Sequence, residues 1–226
     1  MGHAFGPLSL KLNGGVDSHT LLMLHGEDFT DSSSRNRGSF TNVGAVTLDT
    51  GKFGKGFYFT REKRLYTSLA ADDYLQLGDK DFTIDFWALF RDNLSSNSIF
   101  AWGGNTYAQF NFSIEVADGF VLHVGNAANN GYQFRIQLNK HPAYNVWDHY
   151  AFVRKGGNLM LFIDGVLVKN TDIGNFSLVP ASFLVIAHYL LSGNPTYGIN
   201  GSIDEFRISD AARWTSNFIP PTQPYW

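Results

Sequence analysis

Apolar and polar positions alternate with a period of two over most of the chain. In Phe82-Thr83-Ile84-Asp85-Phe86-Trp87-Ala88-Leu89-Phe90-Arg91, the residues Phe82, Ile84, Phe86, Ala88 and Phe90 share one face of an extended strand. Trp87 and Leu89 on the other face predict that this strand is covered on both sides for part of its length. Residues 109–116 alternate cleanly, as a strand with one wet face does. Further strand-like runs lie at 20–25, 56–60, 120–124, 132–138, 149–154, 159–163, 183–187 and 203–208. Short polar or glycine-bearing segments separate them at the spacing of a sandwich or barrel. Asp164-Gly165 sits between Leu159-Met160-Leu161-Phe162-Ile163 and Val166-Leu167-Val168, which predicts a two-residue hairpin turn with positive φ. Asp118-Gly119, between two further apolar runs, reads the same way. No long helical period and no internal repeat occurs; one short turn is expected at 210–214. The pattern predicts one domain over 19–226, with residues 1–18 as an N-terminal arm or edge strand.

Composition narrows the class. Charged residues are 16% of the 226, against roughly 25% in ordinary globular chains, while hydrophobic residues reach 44%. A chain of this kind has enough apolar surface to offset its conformational entropy, so disorder is excluded. The formal net charge is −3, which gives no whole-chain basic field for nucleic acid. The basic group Arg61-Glu62-Lys63-Arg64, with Lys52 and Lys55, is interleaved with acid and reads as a solvated loop. There is no cysteine, hence no disulfide framework, no Cys-ligated zinc and no thiol nucleophile. No apolar run approaches the ~18 residues of a membrane span, and the first residues lack the pattern of a secretory signal. A partner of nucleic acid or insertion in a membrane is therefore not expected.

Several segments, in order, carry a resemblance. They are 21–33, Lys52-Phe53-Gly54-Lys55-Gly56-Phe57-Tyr58-Phe59, Asp81-Phe82-Thr83-Ile84-Asp85-Phe86-Trp87, Val146-Trp147-Asp148-His149-Tyr150 and Leu161-Phe162-Ile163-Asp164-Gly165. Gly201-Ser202-Ile203-Asp204-Glu205-Phe206-Arg207-Ile208 and residues 212–221 complete the set. Together they resemble the laminin-G-like, concanavalin A-like jelly-roll family, in the branch common among bacteriophage structural proteins. The resemblance implies an all-β, two-sheet antiparallel jelly-roll sandwich. It leaves function open, because this fold hosts glycan binding, hydrolysis and assembly. Ser34-Arg35-Asn36-Arg37 departs from the family's Gly-Asn-Gly-rich stretch.

Candidate chemistry follows residue by residue. Two-carboxylate glycoside hydrolysis needs acids on one face, and the laminarinase-type Glu-x-Asp-x-(x)-Glu run is absent. Asp204 and Glu205 are adjacent, so in a regular strand they point to opposite faces. No His-Glu-x-x-His and no Gly-x-Ser-x-Gly occurs. Catalysis is not expected. Glu27, Asp28 and Asp31 cluster in one loop and offer hard oxygen ligands. Family relatives hold a structural calcium between this loop and the last strand, which would enlist Asp28, Asp31 and Asp204. The competing reading is a turn in which Asp31 bonds the backbone of Ser33. Glycan binding needs aromatic faces beside amides and carboxylates. Loop-like segments 102–107, 129–132 and 189–197 supply Trp102, Asn105, Tyr107, Tyr189, Asn194 and Tyr197.

The expected function is a non-catalytic, virion-associated adhesion protein that recognises host-surface glycan. Two alternatives stay open: a purely structural capsid or tail decoration protein, and a carbohydrate-binding module of a polysaccharide-degrading system. Partners would be glycan or other virion proteins, with a homo-oligomer as one arrangement. No cofactor is required beyond a structural calcium, and the setting is the phage particle surface or, alternatively, the bacterial exterior.

Overall fold

A computed structural model describes residues 15–92, 97–103, 108–115, 117–126, 131–178, 180–189 and 197–226. These residues form fifteen strands and no helix. One sheet has eight strands. Its order is β13 (Val166–Asp172), β12 (Asn158–Ile163), β11 (Trp147–Lys155), β6 (Phe82–Phe90), β15 (Gly201–Ser209), β4 (Lys55–Phe59) and β3 (Thr47–Thr50). β1 (Thr20–Leu24) pairs with the later half of β15, where β4 has left off. The second sheet has seven strands, in the order β10 (Gly131–Gln137), β9 (Gly119–Asn126), β8 (Ala108–Glu115), β7 (Asn97–Gly103), β14 (Phe183–Ile186), β5 (Arg64–Ser68) and β2 (Thr41–Val43). All ladders are antiparallel. The arm is described from Gly15 onward; residues 1–14 lie outside the described residues.

The inward faces meet in one aromatic core. Phe86 of β6 lies parallel to Tyr150, Phe152 and Phe206 of its own sheet at centroid separations of 5.7, 6.3 and 5.5 Å. From the facing sheet, Phe100 meets Phe86 edge-on at 6.0 Å. Alternation places these rings inward by itself, because residues two apart on a strand share a face.

The Asp164-Gly165 turn has φ of 50° and 73°, both positive, and joins β12 to β13 as a two-residue hairpin. The Asp118-Gly119 reading needs correction. Glu115 pairs with Gly119, so Gly119 opens β9 with a positive φ of 68° and Asp118-Gly119 is not a two-residue turn. A second correction concerns Asp204 and Glu205. Glu205 has φ 54° and sits in a register shift between Asp204 and Arg207. This bulge turns both carboxylates away from the core, instead of to opposite faces.

Candidate functional site

The outer faces of the two sheets differ. On the eight-stranded sheet, the outward positions of β6, β11 and β15 carry Asp85, His149 and Arg207, all fully buried. The C-terminal segment 210–226 buries them. Tyr225 inserts its ring against the Arg207 guanidinium at 4.1 Å and donates its hydroxyl to Asp85 Oδ2 at 2.8 Å. His149 Nε2 donates to the same hydroxyl at 2.9 Å, and Arg207 holds Asp85 through two bonds of 2.9 Å. Glu205 accepts the Tyr225 backbone N–H at 2.8 Å and lies 3.0 Å from His25 Nδ1; the His25 ring stacks under Trp226. Farther along, Trp214 stacks on Phe218 at 4.0 Å and covers Val153, Met160 and Phe162. Polar groups on this face are thus internal, and they bond one another.

The outer face of the seven-stranded sheet carries a cleft. Because Phe110, Phe112 and Ile114 of β8 point inward, Asn111, Ser113 and Glu115 point outward. With Ser98 of β7 and His123 of β9 they floor a cleft of about 250 Å³, walled by Tyr132, Tyr189 and Tyr197. Register sets the floor: Ser98 faces Ser113 and Asn111 faces His123. Ala101 on the same face is small enough for Tyr189 to pack against it. An isolated bridge between Ser98 and Gly198 holds the chain at Tyr197 beside the floor.

The polar groups are oriented. His123 Nε2 bonds Glu115 Oε1 at 2.7 Å, while Arg135 Nη2 bonds Glu115 Oε2 and Asp118 Oδ2, each at 2.6 Å. Burial lowers the His123 pKa more than Glu115 raises it, so the imidazole is neutral at neutral pH. Its Nδ1 is buried and has no hydrogen-bond partner. The Tyr132 ring lies 4.1 Å from the His123 ring, and the Tyr132 and Tyr189 hydroxyls meet at 3.2 Å. Burial, and then the Tyr189 hydroxyl, raise the Tyr132 phenol above its ordinary value. The result is a hydroxyl, amide and carboxylate floor under aromatic walls, which suits a polyhydroxylated ring.

The sequence-derived candidates divide. Tyr189 and Tyr197 line this cleft together. Trp102 is a correction: it is 3% exposed, lies on β7 and belongs to the core, because its position in the β7 alternation points inward like Phe100. Asn105, Tyr107 and Asn194 lie outside the described residues. Asn111, Ser113 and Glu115 join the site from the wet face of the cleanly alternating strand, which is their signal in the sequence, and His123 joins from the neighbouring β9, where the sequence carries no such signal.

Asp28, Asp31 and Asp204 do not come together; among the described residues no three His, Cys, Asp or Glu side chains group where they could hold a metal ion. The Asp31 carboxylate is buried and accepts from Met23 N at 3.0 Å, Ser33 N at 2.8 Å, Ser33 Oγ at 2.9 Å and Arg37 N at 2.9 Å. It ties the loop to β1. Asp28 closes a turn on Thr30 N at 2.8 Å. Asp204 accepts from Phe53 N at 2.9 Å, and burial, with Glu205 adding to it, raises its carboxyl to about 8.

Residues 63–216, more than half of the chain, match the family model of concanavalin A-like lectins and glucanases. The chain belongs to the concanavalin A-like lectin/glucanase superfamily. No curated protein matches it in sequence. Among solved structures, this superfamily member is similar to the binding domain of Paraclostridial Mosquitocidal Protein 1, with TM-score 0.67 and 16% identity over 86% of this chain and 49% of that one. Domain 4 of AbnA, an extracellular arabinanase from Geobacillus stearothermophilus, solved with arabinotriose, gives TM-score 0.64 and 15% identity over 85% and 93% of the two chains. The binding domain of botulinum neurotoxin DC, solved with rat synaptotagmin II, gives 0.65 and 18% over 86% and 48%. The chain spans about half the length of these toxin binding domains. At these identities the likeness establishes the fold.

Proposed function

We propose that the chain is a non-catalytic glycan-binding domain whose site is the tyrosine-walled cleft on the outer face of the seven-stranded sheet. One observation carries this reading. Of the two outer faces, one is sealed by the C-terminal segment, and the other presents hydrogen-bonding groups under aromatic walls. The arabinanase domain solved with arabinotriose shares the fold over 93% of its length, which favours as a second reading a carbohydrate-binding module of a polysaccharide-degrading system. The setting we propose first is the surface of a phage particle, on the sequence resemblance; labelling of particles with an antibody to the chain tests it.

The experiment is a glycan array with the purified chain, followed by titration of Tyr189→Ala and Tyr197→Ala. Each variant is expected to keep its melting temperature within a few degrees while losing roughly 1–2 kcal/mol of binding, the scale of a hot-spot side chain. An array without binding would overturn the glycan reading and favour the cementing role. Binding that survives both substitutions would move the site elsewhere.

A further inference from the structure

Resting on the glycan reading of this cleft, we propose that it seats a single neutral sugar unit at a glycan's end and rejects acidic glycans. Two observations point there. The first is fixed charge. Glu115 belongs to the floor, Asp118 sits beside it, and Arg135 is the cation that meets both, at 2.6 Å each. Two carboxylates against one guanidinium leave the site negative, and His123 contributes nothing while neutral. The guanidinium that could take a carboxylate or sulfate from a ligand already has two carboxylates. An acidic sugar would have to displace one of them and approach the other, and like charges at close range repel. Arg61 does not change this balance, since it bonds Asp92 and Asn97. Nor do the connections 104–107, 127–130 and 190–196 of the same sheet, whose sequences contain no Asp, Glu, Lys or Arg.

The second observation is size. About 250 Å³ lies below the roughly 300–1,000 Å³ of pockets that enclose a drug-sized ligand, so one ring fits and the rest of a chain stays outside. Ser98 Oγ donates to Asn111 Oδ1 at 2.5 Å and Ser113 Oγ to the Val121 carbonyl at 3.4 Å; the uncharged lone pairs and amide N–H groups left over at these residues match hydroxyls, while the tyrosine walls match the CH faces of the ring.

The test uses the whole chain and an array of matched glycans, neutral and terminated with sialic or uronic acid. The best neutral binder and its acid-terminated form are then titrated at low and high salt, with wild type, Asp118→Asn and Tyr189→Ala. The neutral form is expected to bind on the order of tenfold more tightly at low salt, a gap that shrinks as salt screens the site. Asp118→Asn, which removes an exposed carboxylate, should narrow the gap in the same way. Acidic glycans that bind as tightly as neutral ones, with binding lost in Tyr189→Ala, would overturn the charge argument and leave the glycan reading standing. A gap indifferent to salt and to Asp118→Asn would overturn it as well. No binding by either class would overturn the glycan reading itself.

Discussion

Tyr225→Phe removes one oxygen from the closed face and leaves the ring in place. That hydroxyl accepts from His149 and donates to Asp85, with all three side chains fully buried. Two losses follow. A hydrogen bond to a charged acceptor contributes about 1.5–3 kcal/mol, and an unsatisfied buried N–H on His149 costs about 1–3 kcal/mol. They do not simply add. His149 Nε2 lies 3.5 Å from Asp85 Oδ2 and can close on it once the hydroxyl is gone, and Arg207 still holds the carboxylate. The expected net cost is therefore about 2 kcal/mol. For a chain of this size that corresponds to a fall in Tm of roughly 4–8 °C. Urea titration should show a lower midpoint at an unchanged slope, since the surface exposed on unfolding is the same. Tyr225→Ala should cost more, about 4 kcal/mol, by adding a cavity and losing the ring stacked on Arg207. A loss below about 0.5 kcal/mol in Tyr225→Phe would refute the view that the C-terminal segment is part of the folded unit.

Further outcomes are expected from the same structure. Burial alone would raise the Asp85 carboxyl, but the Arg207 guanidinium with its two hydrogen bonds, helped by His149 nearby, outweighs it and holds it well below the ordinary 3.8. Its contribution is then complete above pH 3.8 and lost as pH falls toward the lower folded value, so an acid titration followed by circular dichroism should show stability dropping below about pH 4. In Gly165→Val a Cβ would stand 1.9 Å from the Phe218 carbonyl oxygen at a φ of 73°, so a loss of roughly 2 kcal/mol or more is expected in thermal melts; an unchanged Tm would remove the hairpin–tail contact. Asp31→Ala strips an acceptor from four donors and should cost about 2–4 kcal/mol by urea titration, with or without chelator present.

Much of the fold was legible because the core strands obey a strict period. β6 and β8 announce their inward face by alternation, β11 and β12 read as apolar strands without announcing a face, and Asp164-Gly165 announces its turn. β7 was not legible, and the reason is physical. Asn97-Ser98-Ile99-Phe100-Ala101-Trp102-Gly103 carries a register shift between Ser98 and Phe100, so its apolar residues do not fall at every second position. Beside Gly103-Gly104-Asn105 it reads in sequence as an aromatic loop, with Trp102 as a ligand platform. The same mechanism hid the Asp204-Glu205 bulge. Period two detects strands that pair regularly, and a bulge breaks the period without breaking the strand.

The site itself was half legible, and the missing half explains how one sandwich can carry two opposite faces. Tyr189 and Tyr197 stood out because aromatics beside Gly and Asn lack an obvious core position. The floor did not stand out, because Ser98, Asn111, Ser113 and Glu115 look like any solvated strand face. Asp85, His149 and Arg207 have the same outward-pointing polar pattern on the other sheet, and they are buried in the fold as Ser98, Asn111 and Ser113 are. What separates the two is how they are covered: Tyr225 reaches back 140 residues and bonds Asp85 directly, whereas Tyr132, Tyr189 and Tyr197 cover His123 and its neighbours and leave a cleft between them. Polar outward positions in a sandwich therefore carry no function until it is known how they are covered. Here the C-terminal segment assigns one face to stability, and the cleft on the other is where we place the proposed ligand.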